Sequence, residues 1–126
     1  MMQIELEIPY PVSVNSYYRS VKGRSILSKQ GRDYKKHAAQ LEHLRGTFPE
    51  TQRLKVVIQL FPPSKHRSDL DNYAKSALDL MQDAGVFVND NQIDHLVIRR
   101  RSVLKGGKAI VTIKVIRENE NTPRPV

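Results

Sequence analysis

The stretch LKVVIQLFPPSKHRSDLDNYAKSALDLMQDAG, Leu54 to Gly85, decides the fold. Leu54 to Phe61 is rich in β-branched and apolar side chains and reads as a central strand. Pro62 and Pro63 end it, because proline donates no ladder hydrogen bond. Pro62 to Arg67 reads as a loop carrying Lys65, His66 and Arg67. From about Asp69 to Ala84 the apolar spacing becomes helical: Leu70, Ala74, Ala77, Leu78 and Met81 fall at i, i+4, i+7, i+8 and i+11. Gly85 supplies the stop.

Working outward from that strand and helix, Ile4, Leu6 and Ile8 alternate with Gln3, Glu5 and Glu7, the period of a half-buried strand. Pro9 and Pro11 end it. Ser13 to Leu27 is polar and aromatic and reads as a loop, with at most a short hairpin around Lys22-Gly23. A first helix is expected from Ser28 to Arg45, stopped by Gly46, with Tyr34, Ala38, Leu41 and Leu44 facing the core. Beyond Gly85, Val86-Phe87-Val88 is a short apolar run and Asn89-Asp90-Asn91 a turn. Ile93 to Val103 and Ala109 to Arg117 read as strands, joined by a Gly106-Gly107 hairpin turn. The expected fold is α+β: one small domain, a mixed or antiparallel sheet with two helices on one face, ending in a β-hairpin. The domain spans residues 1–118, and 119–126 form a flexible C-terminal tail.

The chain has 21 Lys and Arg against 13 Asp and Glu, a net charge of +8 over 126 residues. A field of that sign attracts polyanions, nucleic acid first among them. Residues 19–36 hold Arg19, Lys22, Arg24, Lys29, Arg32, Lys35 and Lys36 against one acid, Asp33. Tyr17 and Tyr18 adjoin them and can stack on an unpaired base. The absence of cysteine excludes thiol nucleophiles, disulfides and cysteine zinc sites. The N-terminal residues lack the basic region and apolar core of a signal peptide. No apolar run approaches the roughly 20 residues of a membrane span. A cytoplasmic location, no membrane partner and no small-molecule cofactor are expected.

Asp69 and Asp71 open the second helix, and Lys75 follows one turn later. Ser68 and Asp71 also match a capping box, and Asp69 suits the positive end of a helix, so capping alone could account for both acids. It does not account for Asp90, or for acids set beside so many cations. The alternative is a magnesium site for cutting a phosphodiester, held by carboxylates and phosphate oxygens. On a regular helix Asp69 and Asp71 would stand about 200° apart and could not share an ion. If Asp69 lies in the loop before the first turn, they can converge. Lys75 could pair with Asp71 or reach the scissile phosphate. Asp90 sits in a turn just after that helix, and a short return strand could carry it back towards the helix start. Asp94 is a weaker candidate, and His66 reads as a loop residue or phosphate contact. Two of Arg99, Arg100 and Arg101 share one surface, suited to a DNA backbone.

With these residues in view, the chain resembles the RusA family of Holliday-junction resolvases, small endodeoxyribonucleases of bacteria and prophages. The resemblance covers roughly residues 3–117. It rests on Pro11-Val12-Ser13-Val14-Asn15-Ser16-Tyr17-Tyr18-Arg19, Ser28 to Gly31, Asp69-Leu70-Asp71-Asn72 with Lys75, Asp83-Ala84-Gly85-Val86, Asn89-Asp90-Asn91-Gln92, and Lys105-Gly106-Gly107. It implies magnesium ligands at Asp69, Asp71 and Asp90, with manganese able to substitute, and an essential lysine at Lys75. It further implies a homodimer that nicks a four-way junction symmetrically, in recombination and repair. Asn15, Tyr18, Arg19, Lys22, Arg24, Lys65, Arg67, Arg99 and Arg101 are the candidate DNA contacts. Two departures stand out: Ser68 where the family often has arginine, with Arg67 one position earlier, and Asn89 where it often has a second acid. Three rival readings are a non-enzymatic nucleic-acid-binding module, a nuclease for flaps or RNA, and a copy that binds junctions without cutting.

Overall fold

A computed structural model describes residues 3–65 and 69–117. The expected tail, 119–126, lies outside the described residues, as do His66, Arg67 and Ser68. Six strands are described: β1 (Gln3–Ile8), β2 (Tyr18–Val21), β3 (Arg24–Leu27), β4 (Leu54–Phe61), β5 (Ile93–Arg100) and β6 (Lys108–Val115). Three α-helices accompany them: α1 (Val14–Tyr17), α2 (Lys29–Lys35) and α3 (Ala74–Asp83). The class is α+β with a mixed sheet. Four strands pair in the order β1-β6-β4-β5, while β2 and β3 form a separate two-stranded ribbon. β4 runs parallel to β5 and antiparallel to β6.

The central position of β4 follows from its burial. Leu54, Val56, Ile58 and Leu60 are each at most 1% exposed, and the residues between them are half-buried. One face of the sheet is therefore core, built from these residues with Leu6, Ile8, Ala109, Val111 and Ile113. Against it lie Ala77, Leu80 and Met81 of α3 and Leu41 of a 3-10 segment, Lys36–Leu44, that continues α2.

The expected terminal hairpin is corrected here. β5 and β6 do not pair, because β4 occupies the slot between them. They lie two strand spacings apart, about 10 Å, so a two-residue turn could not join them. Residues 101–107 instead step over the end of β4: Arg101 N–H donates to Leu60 O, and Leu104 N–H to Pro62 O. Gly106 and Gly107 do turn the chain, both at positive φ, and Gly107 packs against Tyr10 and Pro63.

Three further differences have local causes. The expected first helix keeps its start, with Ser28 as N-cap accepting from Gly31 N–H, but residues 36–44 are 3-10. Ala38, Leu41 and Leu44 recur every third residue, which lines them up at the 3-10 period of three per turn. The second helix opens with a 3-10 turn, Leu70–Tyr73, before α3. Such a turn advances about 120° per residue against about 100° in an α-helix, so the buried stripe shifts phase. Ser76, Ala77, Leu80 and Met81 are buried and Leu78 only half so. Finally, residues 13–27 hold more structure than a loop. α1 leads into the β2–β3 ribbon, whose turn residues Lys22 and Gly23 both take positive φ (51° and 75°), as a tight hairpin requires.

Candidate active site

Asp69 takes extended backbone, φ −73° and ψ 131°, just before the Leu70–Tyr73 turn. This meets the condition for convergence: Asp69 is outside the helix and Asp71 is in its first turn. Asp69 stands at the N-cap position yet makes no side-chain cap bond. The capping box through Ser68 lies outside the described residues. Among the described residues, no side-chain hydrogen bond or ion pair engages Asp69, Asp71 or Asp90. The turn itself is anchored from behind. Leu70 is half-buried, and the rings of Tyr73 and Tyr10 pack at 5.2 Å. Burial, with Tyr73 beside it, pushes the Tyr10 phenol up to about 12.

Lys75, in the first turn of α3, does not pair with Asp71. Its ammonium lies 3.0 Å from Asp79, one turn further on, whose side chain is only 15% exposed. That hydrogen bond above all, then the negative charge of Asp79 and the proximity of Tyr18 and Asp90, raises the pKa of Lys75. Beneath this pair, Tyr17 is fully buried and its hydroxyl has no hydrogen-bond partner of normal geometry. Burial, then the charges of Asp79 and Asp83, hold that phenol well above its usual range. Asp79 is therefore a candidate site residue that the sequence reading missed. Its signal was available: positions 71, 75 and 79 follow one another at i+4 on one helix face.

No strand returns Asp90 to the helix start. Residues 86–88 contribute one bridge, Phe48 to Phe87, and a short 3-10 turn, Asp90–Gln92, follows them. The Asp90 N–H donates to Gln82 Oε1, near the C-terminal end of α3. Its charge still reaches Lys75. Among the described residues no group of three acids or histidines lies close enough to hold a metal ion. The structure thus sets Asp69 just before the turn that holds Asp71 and lets the charge of Asp90 act on Lys75, and among the described residues it does not gather the three acids.

The basic stretch divides in two. Lys29 and Lys36 pair with Asp33, Lys35 pairs with Asp83, and Arg32 donates to Leu27 O. Those four support helix α2 and its neighbours. Arg19, Lys22 and Arg24 are exposed on the ribbon and have no partner among the described residues. Asn15 is exposed on α1, and Tyr18 is half-buried at the root of the ribbon, edge-on to Tyr17 at 5.0 Å. Lys65 is exposed at the end of the described loop. Arg99 is exposed opposite Gln59, and Arg101 lies just past β5. Asp94 is occupied by Arg53, with contacts from 2.6 to 3.1 Å.

The sequence profile described as endodeoxyribonuclease RusA matches residues 9–116. The chain belongs to that family. A crossover junction endodeoxyribonuclease of Enterobacteria phage 82 is 30% identical over 116 residues, 90% of this chain and 95% of that protein. Crossover junction endodeoxyribonuclease RusA of Escherichia coli K12 is 31% identical over 114 residues, with the same coverage. Among solved structures, the periplasmic domain of Helicobacter pylori MotB aligns at 12% identity and a TM-score of 0.38, over 98% of this chain and 86% of that one.

The RusA-family marker Asn89-Asp90-Asn91-Gln92 has a physical basis here. Gln92 is fully buried and uses its whole amide. Its Oε1 accepts from the N–H groups of Val88 and Asn89 at 2.8 and 3.0 Å. Its Nε2 donates to the carbonyls of Pro49 and Gln52 at 2.9 and 3.1 Å. Asn89 caps the turn by accepting from Asn91 N–H. Only glutamine provides two acceptor and two donor sites at the end of so long a side chain. That side chain fixes the loop from which Asp90 projects. Among the described residues, no helix is long and apolar enough to cross a membrane.

Proposed function

We propose that this chain is a magnesium-dependent endodeoxyribonuclease that resolves four-way DNA junctions by paired symmetric nicks, in recombination and repair. The observation that carries the reading is a pair of carboxylates, Asp69 and Asp71, without side-chain partners among the described residues, one turn ahead of a lysine whose ammonium is held by Asp79. The relatives are named crossover junction endodeoxyribonucleases, which supports the same substrate here.

The donor set suits magnesium. Asp69 and Asp71 offer hard oxygens on backbone that lets them converge, and magnesium needs only one or two carboxylates beside water and phosphate oxygens. Asp90 is the proposed third ligand, and manganese, which takes the same ligand type, should substitute. When bound, such an ion activates a water and neutralises charge developing on the phosphate. Lys75 presents a positive charge to the scissile phosphate. Asp79 positions Lys75. The contacts proposed for the DNA backbone are Asn15, Tyr18, Arg19, Lys22, Arg24, Lys65, Arg67, Arg99 and Arg101. A cytoplasmic homodimer of a single domain, residues 1–118, would match the two-fold symmetry of the junction.

The test is cleavage of a synthetic four-way junction beside a linear duplex and a flap, with and without magnesium, for wild type and Asp71→Asn. Paired nicks confined to the junction, dependent on metal and absent in the variant while junction affinity persists, are expected. Loss of binding together with cutting would give Asp71 a structural role instead. Tight binding by wild type with no product under any divalent metal would refute the enzyme.

A further inference from the structure

The β2–β3 ribbon stands apart from the sheet, and every residue from Arg19 to Ile26 is exposed. Its register sorts the side chains. Arg19 opposes Ile26 and Val21 opposes Arg24, so these four share one face. Tyr18, Leu27, Ser20 and Ser25 take the other, and Tyr18 and Leu27 pack onto the core at the root. The outer face is thus a diagonal of two β-branched side chains, Val21 and Ile26, each 37% exposed, crossed by a diagonal of two arginines. No acid lies between Tyr18 and Ser28.

A short, isolated ribbon does not need apolar residues on the face turned away from its protein. Paired with two arginines that have no partner among the described residues, they match a ligand that offers anions beside an apolar surface. DNA does so where base stacking is broken, and side chains of this kind wedge between base steps. The root of the ribbon adjoins the site, since Tyr18 lies close enough to influence Lys75. From Tyr18 to Val21 the strand extends about 10 Å, roughly three nucleotide rises along one strand.

We propose that the Arg19–Val21–Arg24–Ile26 face is a wedge for the branch point of DNA. Val21 and Ile26 cover unstacked bases at the crossover, and Arg19 and Arg24 hold the flanking phosphates. The ribbon is anchored for this. Ser28 N–H donates to Tyr17 O at 3.0 Å, and the Ser28 hydroxyl N-caps α2 through Gly31 at 3.0 Å. Gly31 itself sits against the Tyr17 carbonyl. The inference rests on the junction-cutting reading and adds to it how the branch point is recognised.

The test places 2-aminopurine at the crossover or within one arm of a four-way junction, with EDTA present so that binding is read alone. Wild type should raise fluorescence several-fold at the crossover and leave the arm unchanged. Val21→Thr with Ile26→Thr keeps the β-branched shape and should bind the junction within about threefold. It should lose the fluorescence rise and, with magnesium, cleave at least tenfold more slowly. Arg19→Gln with Arg24→Gln should weaken binding at least tenfold and flatten the log–log salt slope by about 2. An unchanged rise in the threonine pair, or an equal rise in crossover and arm for wild type, overturns the wedge. So does a change in sedimentation mass with the rise intact, which would make the face a contact between copies. Junction cleavage by wild type without any rise also overturns the wedge and leaves the proposed function standing. A wild type that neither prefers nor cuts junctions fails the underlying reading instead.

Discussion

Replacing Gln92 by leucine tests whether the loop bearing Asp90 is held by one amide. Leucine fits a similar volume but strands two N–H groups, of Val88 and Asn89, and two carbonyls, of Pro49 and Gln52. A buried polar group left unpaired costs about 1–3 kcal/mol. These contacts are part-buried, so the lower end applies to each, and the gain from burying an apolar side chain offsets about 1–2 kcal/mol. The net expectation is a loss of about 2–3 kcal/mol, a large share of the roughly 5–15 kcal/mol typical of a domain. For a chain of this size that is a fall in Tm of about 8–12 °C. Thermal melts by circular dichroism would measure it, and junction cleavage should fall as the Asp90 loop loosens. Gln92→Glu is the sharper comparison. It keeps both acceptors but sets a carboxylate against two carbonyls, so burial must raise its pKa. The sign follows directly: with a folded pKa above the unfolded value near 4.3, the variant gains stability as pH falls and loses it as pH rises through the folded pKa. A Gln92→Leu protein within 1 kcal/mol of wild type, or a Gln92→Glu melt that ignores pH, would refute the account.

Two shorter tests follow from the site and its supports. Asp79→Asn weakens the 3.0 Å contact that positions the Lys75 ammonium and removes the charge that raises its pKa, so single-turnover cleavage should fall about tenfold through lost positioning, with junction affinity within threefold. Its alkaline limb should move to lower pH, a shift that a merely structural role would not give. Gly31→Ala would place a Cβ 2.5 Å from the Tyr17 carbonyl oxygen, in backbone that cannot swing aside. A melt should show a loss of about 1–3 kcal/mol despite alanine's better helix propensity; a rise in Tm would refute the close approach.

The parts of this chain legible in sequence are those where one residue's chemistry decides the outcome. Alternation marked β1, the Lys22-Gly23 pair marked the ribbon turn, and Asp69-Leu70-Asp71 with Lys75 marked the candidate site. The terminal hairpin failed because a Gly-Gly turn reports that the chain reverses and not which strand lies beside it. Leu54 to Phe61 read as central, yet the consequence that it could separate the last two strands depends on pairing energies spread over all four. The site shows the same division. A local pattern gave Asp69 and Asp71, whereas the partner of Lys75 was decided by competition. Asp71 and Asp79 are both four residues from the lysine, but Asp71 sits in a 3-10 turn while Asp79 continues the regular helix. An acid N-terminal to lysine is the better helical pair in isolation. Here the geometry of the first turn overrides it, and Asp71 is left without a partner among the described residues. A structural salt bridge would have consumed that carboxylate. Lys75 pairs with Asp79 instead, which leaves Asp71 for the metal ion proposed above.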